Sequence, residues 1–206
     1  MAGEDGDVST PPAPGRTRAP GRPRDPAVRE AIAVACRELI AELGYASLTI
    51  EAVAERAGVG RPTIYRRWPS KAHMVWDVLF TTPADATVIG DTEDLHADVE
   101  LWIRTTIEFF AQPAISRAFP GLLDEASVED EWHSRLRDPV RKAVTARLRR
   151  AVKENGLRAD ADLGGIFDLV TGFAIYRATV PQPSGKAPSA KAITDLVLGG
   201  ARPLAP

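Results

Sequence analysis

Apolar residues recur along most of this chain at the period of an α-helix. Val28, Ile32, Ala35, Leu39 and Leu43 fall on one stripe, with Asp25 as an N-cap, Pro26 at the first helical position and Gly44 as the stop. A second, short helix starts after Thr49, whose hydroxyl can cap it. Leu48 and Val53 form a hydrophobic staple across its start, Glu51 occupies its positively polarised first turn, and Gly58-Val59-Gly60 ends it. A third begins near Arg61, tolerates Pro62 where a missing N–H costs nothing, and turns Ile64 and Trp68 inward at i, i+4 until Pro69 closes it. Ser70 caps a fourth, which runs through Met74, Val78 and Leu79 to Phe80.

After a loop containing Pro83 and Gly90, the helical period returns. Leu95, Val99, Trp102, Thr106 and Phe109 repeat in this way, then Val140, Val144, Leu148 and Val152, then Leu163, Ile166, Val170, Phe173 and Arg177. A weaker helix is expected between Pro113 and Ser127, and a last one from Ser189 to Arg202. No strand alternation, hairpin signal or internal repeat interrupts the pattern. The fold class is therefore all-α, with about nine helices. Residues 1–24, broken by Pro11, Pro12, Pro14, Pro20 and Pro23, read as a mobile basic arm; residues 25–80 and 91–206 read as two helical domains.

Composition narrows the function. A chain of 206 residues, 44% of them hydrophobic, can bury a core, and no stretch approaches the ~18–20 apolar residues that cross a bilayer. The start, MAGEDGDVSTPPAPG, lacks the basic-then-apolar order of a secretory signal. Cys36 is the single cysteine, which excludes an intrachain disulfide or a zinc cluster and suits a reducing cytoplasm. The net charge of −2 is unevenly spread. From Arg16 to Lys71 eleven basic residues face six acids, so a basic module that meets phosphate precedes an acidic one.

Two short helices joined by a glycine turn, with small Ala54 and Ala57 allowing close approach, are what a helix-turn-helix requires. The segment TIEAVAERAGVGRPTIYRRWPSK, residues 49–71, also resembles in order the DNA-binding signature of the TetR family of bacterial transcription regulators; Trp68 stands where many members carry Phe. The likeness is strong over the first 80 residues or so, and beyond them lies in the number, length and order of helices. It implies an N-terminal three-helix DNA-binding domain, then a helical bundle that binds an effector and dimerises.

On that resemblance, the helix from Arg61 to Trp68 enters the major groove of a double-stranded palindromic operator. Arg61 is placed to read guanine in bidentate fashion or to clamp a phosphate, and Thr63 to meet a thymine methyl or a phosphate. Pro62 starts the helix, and Tyr65 offers a phenol to a phosphate oxygen unless it packs inward. Arg66 and Arg67 either track the backbone or sit on a solvated face. Lys71, a cation in the first turn of a helix, opposes the macrodipole and invites an anion, while Thr49 can both cap its helix and meet phosphate. Arg22 and Arg24 in the arm are candidates for the minor groove.

A short reading helix covers few base pairs, so a homodimer is expected, with Gly172, Ala174, Tyr176, Ile193 and Leu196 of the last two helices at its interface. Trp102, Phe109, Phe119, Trp132 and Phe167 are candidates to line a cavity for a small apolar or aromatic ligand, though rings at helical spacing equally build a core. The rival reading is a helical metal enzyme, from Glu93-x-x-His96 and Asp130-x-x-His133; the second has Asp for Glu, and two further inward acids are not apparent. No phosphate loop or nucleophile elbow is present, so neither catalysis nor a cofactor is expected. A non-specific DNA-binding protein is the remaining alternative, separable by its indifference to sequence.

Overall fold

The computed structural model describes residues 26–80, 89–125, 134, 137–154, 156–180 and 187–201. These form nine α-helices: α1 (Pro26–Leu43), α2 (Ile50–Arg56), α3 (Arg61–Tyr65), α4 (Lys71–Leu79), α5 (Leu95–Ala111), α6 (Pro113–Leu123), α7 (Asp138–Lys153), α8 (Leu163–Thr179) and α9 (Ala190–Ala201). No strand occurs among the described residues, and no described helix is long and apolar enough to cross a membrane. The arm, including Arg22, Arg24 and the expected cap Asp25, lies outside the described residues, as does Trp132.

Two of the expected caps form. Thr49 Oγ1 accepts from the Ala52 amide at 3.1 Å, and Ser70 Oγ accepts from the His73 amide at 3.3 Å. Two chain reversals need a left-handed backbone and carry glycine there: Gly44 at φ +79° after α1, and Gly58 at φ +66° between α2 and α3. The turn at Gly44 also corrects the stripe of α1. Ile32, Ala35 and Leu39 are buried, but Leu43, the last residue before the reversal, is exposed.

Two apolar cores form. The first joins α1–α4 to α6 and the ends of α5 and α8, through Phe80, Phe110, Phe119, Leu122 and Ala174. Described residues of the first four helices and of the later ones therefore share one core. Trp76 and Phe80 stack at 4.7 Å between ring centres, Phe80 lies 6.0 Å from Phe119, and Phe110 meets Phe119 edge-on at 5.2 Å. The second core fills α5, α7, α8 and α9 with Val99, Trp102, Leu148, Phe167 and Leu198.

One ion pair is sealed inside the second domain. Arg147 Nε donates to Asp98 Oδ2 at 2.7 Å, its Nη2 reaches the Thr92 carbonyl at 3.1 Å, and the Thr92 amide and hydroxyl also donate to Asp98. A Cβ at Gly90 would fall 2.2 Å from Asp98 Oδ1, so glycine there lets the 89–94 segment lie against the carboxylate. Burial alone would raise the Asp98 pKa, but the hydrogen bonds from Arg147 and Thr92 outweigh it and hold the carboxyl below its ordinary value. A depressed carboxylate stabilises the fold above its unfolded pKa of about 4 and loses that contribution as pH falls through the lower, folded value. Thermal melts should thus show stability falling on acidification below about pH 4. Arg147→Met, which strands a buried carboxylate, should lose about 3–5 kcal/mol and abolish much of that pH dependence.

Candidate nucleic-acid interface

The five residues of α3 form a helix because of what they bury. Ile64 is wholly enclosed, and Trp68, just past the helix end, is nearly so. The Trp68 indole N–H donates to Asp77 Oδ2 on α4 at 3.0 Å, and the same carboxylate oxygen lies 3.4 Å from Arg29 on α1. With Ile64 and Trp68 turned inward at i, i+4, helical geometry sends Arg61, Pro62, Tyr65 and Arg66 outward, and all four are exposed; Thr63 is half-buried. Tyr65 therefore stands in solvent, leaving its phenol free for a phosphate.

The cations differ in their engagements. Arg61 Nη1 contacts Glu51 Oε1 of α2 at 3.1 Å, with both side chains well exposed, so the guanidinium is held loosely and can be transferred to DNA. Arg66 is exposed and has no acidic partner among the described residues. Arg67 lies over the Trp68 ring, 5.1 Å from its centre, and 3.9 Å from Asp77, which makes it a brace for α3. Thr49 is exposed at the start of α2, spending one oxygen lone pair on its cap and keeping the hydroxyl proton for a further acceptor.

Lys71 departs from the expectation that an external anion answers its charge. Its Nζ donates to the Tyr45 carbonyl at 3.1 Å and sits 4.2 Å from the centre of the Tyr45 ring. The conflict with the helix dipole is met by a carbonyl and an aromatic face from the α1–α2 turn. Tyr45 in turn donates its hydroxyl to Glu125 Oε1 at 2.8 Å, just beyond α6, and its ring packs on the backbone of Gly121, where a Cβ would lie 2.4 Å from Cδ1. Burial and the Glu125 carboxylate push the phenol well above its ordinary pKa, so it keeps its proton and remains a donor. Arg117 of α6 adds a hydrogen bond to the Glu42 carbonyl at 3.1 Å. Sequence reasoning missed Tyr45, Gly121 and Glu125, because contacts between residues about 80 positions apart leave no periodic trace.

The other expected site residues divide. Phe109 and Phe119 belong to the aromatic joint with Phe80 and Phe110, whereas Trp102 and Phe167 stack in the second core with ring centres 6.0 Å apart; the four do not share one wall. On α8 and α9, Tyr176 and Leu196 are 54% and 77% exposed and Gly172 faces open space. Ala174 and Ile193, expected beside them, are 1% and 9% exposed: they point into their own protomer's cores, and the interface reading is corrected for both. Leu169, at 70%, and Val180 take up the exposed stripe instead. The signal for them was in the sequence, since α8, Asp168 and Arg177 apart, carries apolar residues on more than one side. His96 Nε2 lies 2.7 Å from Asp195 Oδ1, and no group of three or more His, Cys, Asp or Glu is placed to hold a metal among the described residues; Asp130 and His133 lie outside them.

Comparison with known proteins agrees with this geometry. Residues 32–78 match the family described as bacterial regulatory proteins, tetR family, and residues 89–197 match the tetracyclin repressor-like C-terminal domain. The HTH-type transcriptional regulator YdeS of Bacillus subtilis (strain 168) is 30% identical over 164 residues, 78% of this chain and 82% of its own length. A DNA-binding transcriptional repressor, TetR of Mycobacteroides abscessus, is 28% identical over 177 residues, 84% of this chain and 92% of its own. The crystal structure of a TetR family transcription regulator, SCO0332, superposes with a TM-score of 0.60 at 27% identity, covering 85% of this chain and 99% of that one.

Glu51 holds Arg61 in an exposed ion pair that binding to DNA would have to break. Glu51→Gln should strengthen binding to duplex DNA by up to about fivefold in fluorescence anisotropy. Arg66→Ala should weaken it and make the dependence of log affinity on log salt shallower by about one unit; an unchanged slope would remove Arg66 from the phosphate contacts.

Proposed function

The chain belongs to the TetR family of bacterial regulatory proteins, and from that premise we propose that it is a homodimeric repressor which leaves a palindromic operator when a small molecule enters its helical domain. That it is a DNA-binding transcriptional regulator follows from the family; the residues, partner and direction of control are the proposed part. The observation that carries the reading is the burial of Ile64 and Trp68, which projects Arg61, Tyr65 and Arg66 from one face. We assign Arg61 and Thr63 to base edges, and Tyr65, Arg66, Thr49 and Lys71 to phosphates, with Arg67 shared between phosphate and the brace on Trp68; Arg22 and Arg24 would follow the minor groove. Repression is supported by the relative from Mycobacteroides abscessus, which is itself a repressor. A cytoplasmic location, where the DNA is, fits a chain whose described helices include none long and apolar enough to cross a membrane.

Dimerisation is supported by an apolar face on α8 and α9 that stays exposed among the described residues. Leu169, Tyr176, Val180 and Leu196 are exposed there beside Gly172, Gly199 and Gly200, whose missing side chains let helices approach closely. The same two helices on a second protomer would complete a four-helix bundle. Two-fold symmetry then makes the operator a palindrome.

Release from DNA follows if the ligand favours a bundle geometry in which the heads no longer match adjacent grooves. The α6 contacts supply the linkage. Tyr45 is clamped between Gly121, Glu125 and Lys71, so a shift of α6 has no free space to dissipate in and passes to the starts of α2 and α4, where Thr49 and Lys71 meet phosphate. The second-domain aromatics set a wall of that ligand site in Trp102 and Phe167, while Phe109 and Phe119 lie on the route to the head.

Selection of bound fragments from random DNA should yield a two-fold symmetric sequence bound at least about 1000-fold tighter than unrelated duplex. Leu196→Glu should turn the protein monomeric in sedimentation and abolish that preference while leaving helical content intact; a dimer that survives this change would place the interface elsewhere.

A further inference from the structure

The Asp77 carboxylate on α4 gathers three donors around one oxygen. Oδ2 accepts the Trp68 indole N–H at 3.0 Å, lies 3.4 Å from Arg29 Nη2 on α1, and stands 3.9 Å from Arg67 Nε just past the end of α3. The carboxylate is 22% exposed, less than either guanidinium, so salt screens the group less than it screens a free surface pair. Two cations adjacent in the chain are thereby treated differently. Arg66 is exposed and has no acidic partner among the described residues, whereas Arg67 is drawn to Asp77 and lies over the Trp68 ring. The bond from position 68 depends on its being tryptophan: a phenylalanine there would bury a ring and offer Asp77 no donor.

We propose that Asp77 is a positioning residue that sets how well the head tells its operator from unrelated DNA, by fixing α3 through Trp68 and withholding Arg67 from the phosphates. The inference rests on the regulator reading above and names a residue that controls the same surface. Non-specific binding grows with the number of cations that reach phosphate, whatever the sequence, whereas base readout depends on how accurately the reading side chains are aimed. A guanidinium tied to a carboxylate adds little to the first. A five-residue helix pinned by a directional bond improves the second. Asp77 acts on both, and its two actions are separable. An asparagine in its place keeps an oxygen for the indole but no charge for the guanidinium, so Arg67 is released to any backbone it meets. Loss of the indole donor does the reverse: Asp77 keeps its charge and Arg67, while α3 loses the bond that ties its end to α4.

The test measures binding of the full chain by fluorescence anisotropy across a potassium chloride series, with the palindrome selected from random DNA and an unrelated duplex of equal length. Asp77→Asn should raise affinity for the unrelated duplex by about fivefold, steepen its dependence of log affinity on log salt by about one unit, and lower the preference for the palindrome by a similar factor. These changes should vanish when Arg67→Gln is added, which assigns them to Arg67 rather than to Arg29 or to the lost negative charge. Trp68→Phe should cut the preference by about tenfold through weaker binding of the palindrome, with the salt slope unchanged. In the native background Arg67→Gln should flatten the slope by less than about half a unit, against about one for Arg66→Ala. That arm leaves Asp77 untouched and decides the matter even where the asparagine variant fails to fold. The proposal is overturned if Arg67→Gln alone flattens the slope by the full unit, if the effect of Asp77→Asn is missing or survives Arg67→Gln, or if Trp68→Phe leaves the preference intact. A native protein that binds both duplexes equally overturns the regulator reading and the proposal with it.

Discussion

A five-residue helix has no stability of its own, since isolated helices shorter than about 12 residues are marginal in water. What holds α3 is the insertion of Ile64 and Trp68 between α1, α2 and α4, together with one directional bond, from the Trp68 indole to Asp77. Asp77 also lies within ion-pair distance of Arg29 and Arg67, so three elements converge on one carboxylate. Every functional property of the head depends on that anchorage. The side chains available to read DNA are those that the burial of these two residues leaves outside.

The same economy governs the link between the two domains. The aromatic joint of Trp76, Phe80, Phe110 and Phe119 welds α4 to α6, and the Tyr45 clamp ties the α1–α2 turn to the far end of α6. The head is therefore packed as part of the bundle. The buried Asp98–Arg147 pair plays a different part: it fixes the 89–94 segment against α5 and α7 and brings a polar guanidinium into a core that otherwise has no use for one.

How much of this was legible in the sequence depends on the range of the interaction. Caps, the glycine reversals at Gly44 and Gly58, and the inward pair Ile64 and Trp68 are local, so residue type and spacing revealed them. Whether an apolar residue on α8 or α9 faces its own core or a second protomer is not a local property. Ala174 and Leu169 are equally apolar, and only the packing of α5 and α6 against α8 separates them. Likewise Phe119 reads as one more ring at helical spacing until its neighbours Phe80 and Phe110 arrive from distant parts of the chain. Lys71 shows a third case: its conflict with the helix dipole was readable, but its resolution by Tyr45 was not.

The central claim is that the exposed face of α3 is presented twice, at a spacing that fits one duplex. It is tested most directly by pulsed electron paramagnetic resonance on a homodimer spin-labelled through Arg66→Cys. The native Cys36 is fully buried, and burial pushes its thiol up to about 12, so it should not compete for the label at neutral pH. With the selected operator bound, the account predicts a narrow distribution of label separations near about 34 Å, one turn of DNA, or a whole multiple of it. A broad distribution that operator DNA leaves unchanged, or a narrow one midway between whole turns, would contradict it.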